Sequence, residues 1–205
     1  MFLALNSGGI DSPVAAHLIL KKKYEINFVY FDNGDTKTRE RTIDTIKRLA
    51  AIHSKKFALC AVPLLPLLDK FLEKTGRWDK KFICIFCKRM MYRIAERIAE
   101  KEGYKGLVTG ENLGQVASQT LQNLSVLEEP VELPVLRPLL CMDKEEIVAI
   151  AREIGTYKIS IGKSKECSYV PKYPAINTRL EKIKELEEML DIERMIKRSV
   201  KRSTL

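Results

Sequence analysis

Apolar residues along this chain change period repeatedly, and each change marks an element. Phe2-Leu3-Ala4-Leu5 is a short apolar run suited to a buried strand. A polar stretch follows, Asn6-Ser7-Gly8-Gly9-Ile10-Asp11-Ser12-Pro13, and then an apolar-periodic segment from Val14 to Leu20. The order is strand, glycine loop, helix. Ile26 to Phe31 predicts a second strand. Thr36 to His53 sets Ile43, Ile46, Leu49, Ala50 and Ile52 among charges at helical spacing. Phe57 to Val62 predicts a third strand, and Leu64 to Lys74 a helix with Pro63 and Pro66 near its start. Met90 to Lys101 carries the stripe Ile94, Ala95, Ile98 and Ala99, another helix. Gly106 to Gly110 reads as a short strand, Gly114 to Val126 as a helix, and Pro134 to Leu136 as a last strand. Asp143 and Glu146 stand at capping-box spacing and open a further helix. Arg179 to about Val200 predicts one long helix, with Ile183, Leu186, Met189, Leu190, Ile196 and Val200 on a broad apolar face.

This alternation predicts an α/β fold, a mostly parallel sheet with helices on both faces, Rossmann-like in architecture. Residues 1–177 form its domain, and 178–205 a helical extension. Ligands in such sheets bind beyond the carboxyl ends of the strands. The glycine loop and Gly110 would meet there. The broad apolar face at the chain end predicts a homodimer. Its basic last turns, Lys197, Arg198, Lys201 and Arg202, suit contact with phosphates.

The glycine loop is built for anions. Gly8 and Gly9 permit a tight turn and close approach, Ser7 and Ser12 add hydroxyls, and the following helix adds unpaired N–H groups. The lysine of a Walker A loop is missing, as is the third glycine of the dinucleotide fingerprint. Ser-Gly-Gly-x-Asp-Ser resembles the PP-loop of the ATP pyrophosphatase superfamily, the adenine nucleotide alpha hydrolase-like fold. Its members bind ATP and split it between the α and β phosphates. The plainer alternative is a glycine turn in an unrelated α/β protein. The resemblance implies ATP on Ser7, Gly8, Gly9, Asp11 and Ser12, adenine near Tyr30 and Phe31, and further contacts from Gly110 and Gln119. Mg²⁺ would sit near Asp11.

Charge and composition narrow the class. Lys and Arg number 36 against 27 Asp and Glu, a net charge of +9. That favours an anionic partner, nucleic acid above all, over an ordinary lysine-rich surface. No apolar run approaches the roughly 20 residues of a membrane span. The chain enters a strand at Phe2, leaving no room for a signal peptide. The expectation is a cytoplasmic enzyme with no membrane partner.

Thr109 to Leu124 is rich in amides, with Gln115, Gln119 and Gln122 near one face. Its Leu-Gly-Gln-Val-Ala-Ser-Gln-Thr core, taken with the PP-loop, resembles the tRNA 4-thiouridine synthetases, the ThiI family. Arg137-Pro138-Leu139, Asp143-Lys144-Glu145-Glu146-Ile147, and Gly155-Thr156-Tyr157 through Ile159-Ser160-Ile161 to Cys167 extend the likeness across residues 3–180. The resemblance implies an ATP-dependent tRNA sulfurtransferase that adenylates uridine O4 and replaces it with sulfur, giving 4-thiouridine. Asp11, Lys144 and Cys167 would be catalytic. The family's ferredoxin-like, THUMP and rhodanese domains have no counterpart in this sequence. Sulfur would then come as sulfide or from a persulfide carrier, and tRNA grip from a second copy or a separate THUMP-containing chain. Two other readings stand beside this one: sulfur insertion into a small metabolite, and a nucleotide- or tRNA-binding module without turnover.

Of five cysteines, Cys84 and Cys87 form a CxxC and Cys167 lies far off in sequence. Similarity to archaeal relatives implies an iron–sulfur cluster on these three, with one iron open to the sulfur donor. The rival is a disulfide relay through a persulfide on Cys167. Cys60 and Cys141 read as structural. Around the CxxC, Lys80, Lys81, Lys88, Arg89 and Arg93 suit tRNA phosphates, with Gln115 as a further contact. Trp78, Phe82 and Phe86 are candidate stacking rings.

Overall fold

The computed structural model describes residues 1–162 and 167–203. Its centre is a five-stranded, fully parallel sheet in the order β3-β2-β1-β4-β5. The strands are β1 (Phe2–Leu5), β2 (Ile26–Asp32), β3 (Leu59–Pro63), β4 (Leu107–Val108) and β5 (Val135–Leu136). From β1 the chain builds outward through β2 and β3, then returns to add β4 and β5 on the other side. The order therefore reverses at the β1/β4 boundary, where a crevice opens above the strand ends.

Successive strand residues serve opposite faces. Leu3, Leu5, Val29 and Phe31 join one buried core, and Ala4, Phe28 and Val108 the other. The second core takes α1 (Asp11–Lys21), α2 (Thr36–His53) and α6 (Lys144–Glu153). The first takes α3 (Leu65–Lys74), α4 (Ile83–Glu102) and α5 (Leu121–Glu128), while a short α7 (Tyr157–Ser160) packs beside α2 on the second. End signals act as expected. Asp35 accepts from Thr38 N at 3.0 Å to cap α2, and Asp143 and Glu146 complete the capping box of α6. Among the described residues no helix is long and apolar enough to cross a membrane.

Three segments differ from expectation. The helix predicted from Met90 begins at Ile83, after a 3-10 turn over Arg77–Phe82. Burial of Ile83, Phe86 and Met90 on the sheet side extends its apolar stripe backward, so the CxxC lies in its first turns. The helix predicted over Gly114 to Val126 is broken. Gly114 takes φ +76°, Ala117–Gln119 is a 3-10 turn, and Thr120 caps α5 by accepting from Asn123 N at 3.2 Å. The long terminal helix is two, α8 (Leu180–Glu188) and α9 (Ile192–Arg202). Asp191 interrupts it by accepting from Arg194 N at 3.1 Å. Ile183, Leu186 and Ile196 are buried in the same core as α4. The chain covers Ile183, Leu186 and Ile196 with its own core and leaves Met189 exposed, so the face open to a second copy is narrower than the homodimer expectation assumed.

Candidate active site

Asn6, directly after β1, organises the glycine loop. Its Oδ1 accepts from Gly8 N at 3.1 Å and from Ser12 Oγ at 2.8 Å, and its Nδ2 donates to Thr45 Oγ1 at 3.2 Å. Ser7 N donates to Ser12 Oγ at 3.1 Å. Gly8 holds φ +70°, and a Cβ there would stand 2.8 Å from Thr42 Oγ1. Gly8 therefore seats the loop on α2, while Ser7, Gly9, Asp11 and Ser12 line a cavity of about 220 Å³. Its other walls are Leu5, Val29, Phe31 and Met91, with Gly110 and Gln119 from the later loops. Gly110 lets the loop after β4 touch α1, since a Cβ there would lie 2.6 Å from Ser12 N. An apolar slot ending in an anion cradle fits a base at one end and phosphates at the other.

Lys144 Nζ, at the first turn of α6, donates to Asp11 Oδ1 at 2.6 Å and to Gln115 Oε1 at 3.3 Å. Two residues expected to be catalytic thus meet at the loop mouth, and Gln115 sits with them. Gln115 Nε2 and Gln119 Oε1 are buried with no partner among the described residues. Such atoms are costly unless a ligand or water satisfies them. Tyr30, expected near adenine, does not line the cavity. Strand alternation turns it to the opposite side of β2 from Val29 and Phe31, where it is buried.

The sequence reading missed Glu111 on the cavity floor. Its carboxylate accepts from Lys88 Nζ at 2.9 Å, from Arg137 Nε at 3.0 Å and from the Tyr92 hydroxyl. Burial acts to raise its pKa, but Lys88, Tyr92 and Arg137 outweigh this and hold it below the usual carboxylate range. The signal for it is an acidic residue one position after the strand-end glycine.

Cys84 and Cys87 lie one turn apart on α4, and both are half-buried free thiols. Burial raises the pKa of each, aided at Cys84 by Cys167 and at Cys87 by Cys84 and then Cys167, and Cys87 is pushed up to about 12 although Lys88 opposes the shift. Cys167 therefore lies near enough to both for its charge to bear on theirs. Among the described residues, no group of three His, Cys, Asp or Glu side chains fits a single metal ion. Three thiols so placed suit a cluster, whose corners stand farther apart than the ligands of one ion. Cys167, with Asn33, Asp35, Leu65 and Tyr169, also lines a second cavity of about 280 Å³. Asn123, buried at the start of α5, ties down the segment after Cys167. Its Nδ2 donates to Ala117 O at 2.7 Å and Ala175 O at 3.0 Å, and its Oδ1 accepts from Thr178 N at 3.0 Å.

The family model for thiamine biosynthesis protein (ThiI) matches residues 1–192. The chain belongs to the ThiI family. A probable tRNA sulfurtransferase from Caldanaerobacter subterraneus is 43% identical over 94% of this chain and 51% of its own length. The structure of a 4-thiouridine synthetase–RNA complex with bound ATP superposes with a TM-score of 0.93 at 36% identity, over 99% of this chain and 54% of that one. A U34-tRNA thiolase from Methanococcus maripaludis with its [4Fe-4S] cluster shares the fold, with a TM-score of 0.51 at 16% identity, over 98% and 72% of the two chains. The chain spans about half the length of the curated relatives it matches.

Several basic residues of this ThiI-family chain are not where a tRNA contact needs them. Arg89 is fully buried and donates to Glu187 at 2.7 and 2.9 Å, to Glu129 at 3.0 Å and to Val126 O. Arg93 gives both its terminal nitrogens to Glu187 at 2.8 Å. The two arginines fasten α4 to α8 and do not face RNA. Lys88 is committed to Glu111 on the cavity floor. Lys80 and Lys81 remain exposed. Phe82 and Phe86 are core residues, Phe86 stacking on Phe71 at 4.5 Å, so only Trp78 of the expected rings is free to stack.

Proposed function

We propose that this chain adenylates uridine O4 of tRNA with ATP and exchanges that oxygen for sulfur, yielding 4-thiouridine. The observation that carries the reading is the Asp11–Lys144 pair at the mouth of a phosphate cradle whose cavity is also lined by Lys88 and Met91 of α4, the helix that carries Cys84 and Cys87. ATP lies in the Val29–Phe31 slot with its phosphates along Ser7 to Ser12. Asp11 and the phosphate oxygens suit Mg²⁺, which binds through one or two carboxylates plus phosphates. Lys144 offsets charge building on the α-phosphate and the departing pyrophosphate. Uridine O4 attacks the α-phosphorus, the bond to the β-phosphate oxygen breaks, and pyrophosphate leaves. Hydrosulfide sulfur then attacks C4, the C4–O bond breaks, AMP carries the oxygen away, and the sulfur loses its proton. The second cavity, against Cys167, receives the target base.

The donor set Cys84, Cys87 and Cys167 fits an iron–sulfur cluster, which when bound supplies a docking point for the sulfur donor. The thiolase of this fold that carries a [4Fe-4S] cluster supports that assignment. Residues 1–177 hold both sites, and those from 178 onward brace α4. A second copy or another chain helps to grip the tRNA, and the reaction belongs in the cytoplasm with its ATP. The intact Asp11 and Lys144 speak against a binding module without turnover. The test supplies ATP, Mg²⁺, tRNA and sulfide under anaerobic conditions and measures pyrophosphate together with 4-thiouridine in digested tRNA. Pyrophosphate release that ignores tRNA, with no 4-thiouridine formed, would overturn the reading in favour of a small-molecule acceptor.

A further inference from the structure

Two rings stand in solvent close to the cysteines in sequence. Trp78 is 87% exposed and Tyr173 is 75% exposed. They belong to segments held together, because Ala175 N donates to Lys81 O at 3.0 Å and sets the residues around Tyr173 beside the 3-10 turn that carries Trp78. Ile176 extends the patch at 64% exposed. Isolated exposed apolar residues are ordinary, whereas a cluster of them marks an interaction surface.

The charges around these rings select the partner. Lys80, Lys81 and Lys172 are exposed. The acid of the turn, Asp79, is already engaged by Lys182 at 3.5 Å. Lys172 Nζ lies 5.5 Å from the centre of the Tyr173 ring. Flat rings among cations suit unpaired nucleotides, whose bases stack while their phosphates meet the lysines. Trp78 lies shortly before Cys84 in the chain, and Tyr173 shortly after Cys167. We propose that Trp78 and Tyr173, with Lys80, Lys81 and Lys172, form a stacking surface for unpaired bases of the RNA substrate beside the cysteine site. The inference rests on the tRNA reading and adds where and how the RNA is held.

Trp78 is the single tryptophan of the chain, so its fluorescence reports on this surface alone. The protein is titrated with a tRNA transcript, a short unpaired oligoribonucleotide and a blunt RNA duplex. Tryptophan emission and the anisotropy of labelled RNA are followed together. The expected result is saturable quenching by tRNA and the unpaired strand, in the concentration range of the anisotropy change, and little quenching by duplex. Trp78→Ala and Tyr173→Ala should each weaken unpaired RNA about tenfold. Lys80→Gln with Lys81→Gln should lower the salt dependence of binding by about one to two counterions. RNA binding seen by anisotropy with unchanged Trp78 emission would overturn the surface and leave the tRNA reading standing. Absence of RNA binding by anisotropy would overturn both. A blue shift that grows with protein concentration, without RNA, would assign the face to a second copy of the chain and overturn the proposal.

Discussion

Lys144 Nζ lies 2.6 Å from Asp11 Oδ1, and the two groups begin helices that start 133 residues apart. The pair is partly exposed, with the lysine side chain 47% accessible, so its contribution to stability is about 0–1 kcal/mol. Its position at the loop mouth fits the proposed phosphate chemistry. Asp11→Ala and Lys144→Ala should each cut tRNA-dependent pyrophosphate release by about 10²–10³-fold, the usual loss of a transition-state stabiliser. Thermal midpoints should stay near that of the parent. Wild-type rates in either variant would remove the residue from the mechanism.

Gly110→Ala should abolish nucleotide binding although it adds one methyl group. That carbon would sit 2.6 Å from Ser12 N and 2.8 Å from Asp11 C, both backbone atoms, so the chain itself must shift. Overpacking of this kind costs about 1–3 kcal/mol and would push α1 away from the loop after β4. Calorimetric titration with ATP checks this, and parent-like affinity would contradict it.

Glu187→Ala should destabilise the protein by about 3–5 kcal/mol, because it removes the bidentate partner of the buried Arg89 guanidinium and leaves it only Glu129 and Val126 O. Replacing both residues with apolar ones should recover much of that loss. Denaturant melts of the single and double variants measure the difference. Burial works to raise the pKa of Glu187, but Arg93 and Arg89 hold it below the ordinary value of 4.5. Its contribution is therefore complete above 4.5 and fades as pH falls through the lower folded value. Glu187→Gln should flatten that acid limb.

Much of this was legible in the chain. Thr36 to His53 forms its helix because the apolar spacing, the Asp35 cap and the left-handed Ser54 all agree. The PP-loop could be read because glycines and hydroxyls at fixed spacing describe a backbone shape. The parity of β2 could not be read. The stretch Phe28 to Phe31 is apolar on both faces and buried throughout, so Tyr30 and Phe31 were indistinguishable. Nor could the fate of Arg89, since its partner Glu187 lies 98 residues away. The start of α4 was hidden because Phe82, Ile83, Ile85 and Phe86 are apolar without a break in period.

His17 Nδ1 and His53 Nε2 stand 3.0 Å apart, joining α1 to the end of α2. One ring must donate, so the contact needs at least one neutral imidazole. Burial lowers both pKa values below 6.5, aided by His53 and Lys21 at His17 and by Lys55 at His53, while Glu153 partly opposes this at His17. The stabilisation is complete above 6.5 and is lost as pH falls through the folded values. Stability should decline between about pH 7 and pH 5, and His53→Asn should shrink that decline. An identical slope in the variant would show the pair to be silent.

Asn123 has no acid–base or redox chemistry, yet its three hydrogen bonds fasten the stretch between Cys167 and α8 to the glutamine-rich segment. The course of the chain after Cys167 is thus underwritten by an amide on a helix that contains no cysteine. On the proposed reaction, an inherited change at Asn123 would register in sulfur transfer while every thiol and every residue of the glycine loop stayed in the sequence. A search for damaging variants confined to reactive side chains would pass over it.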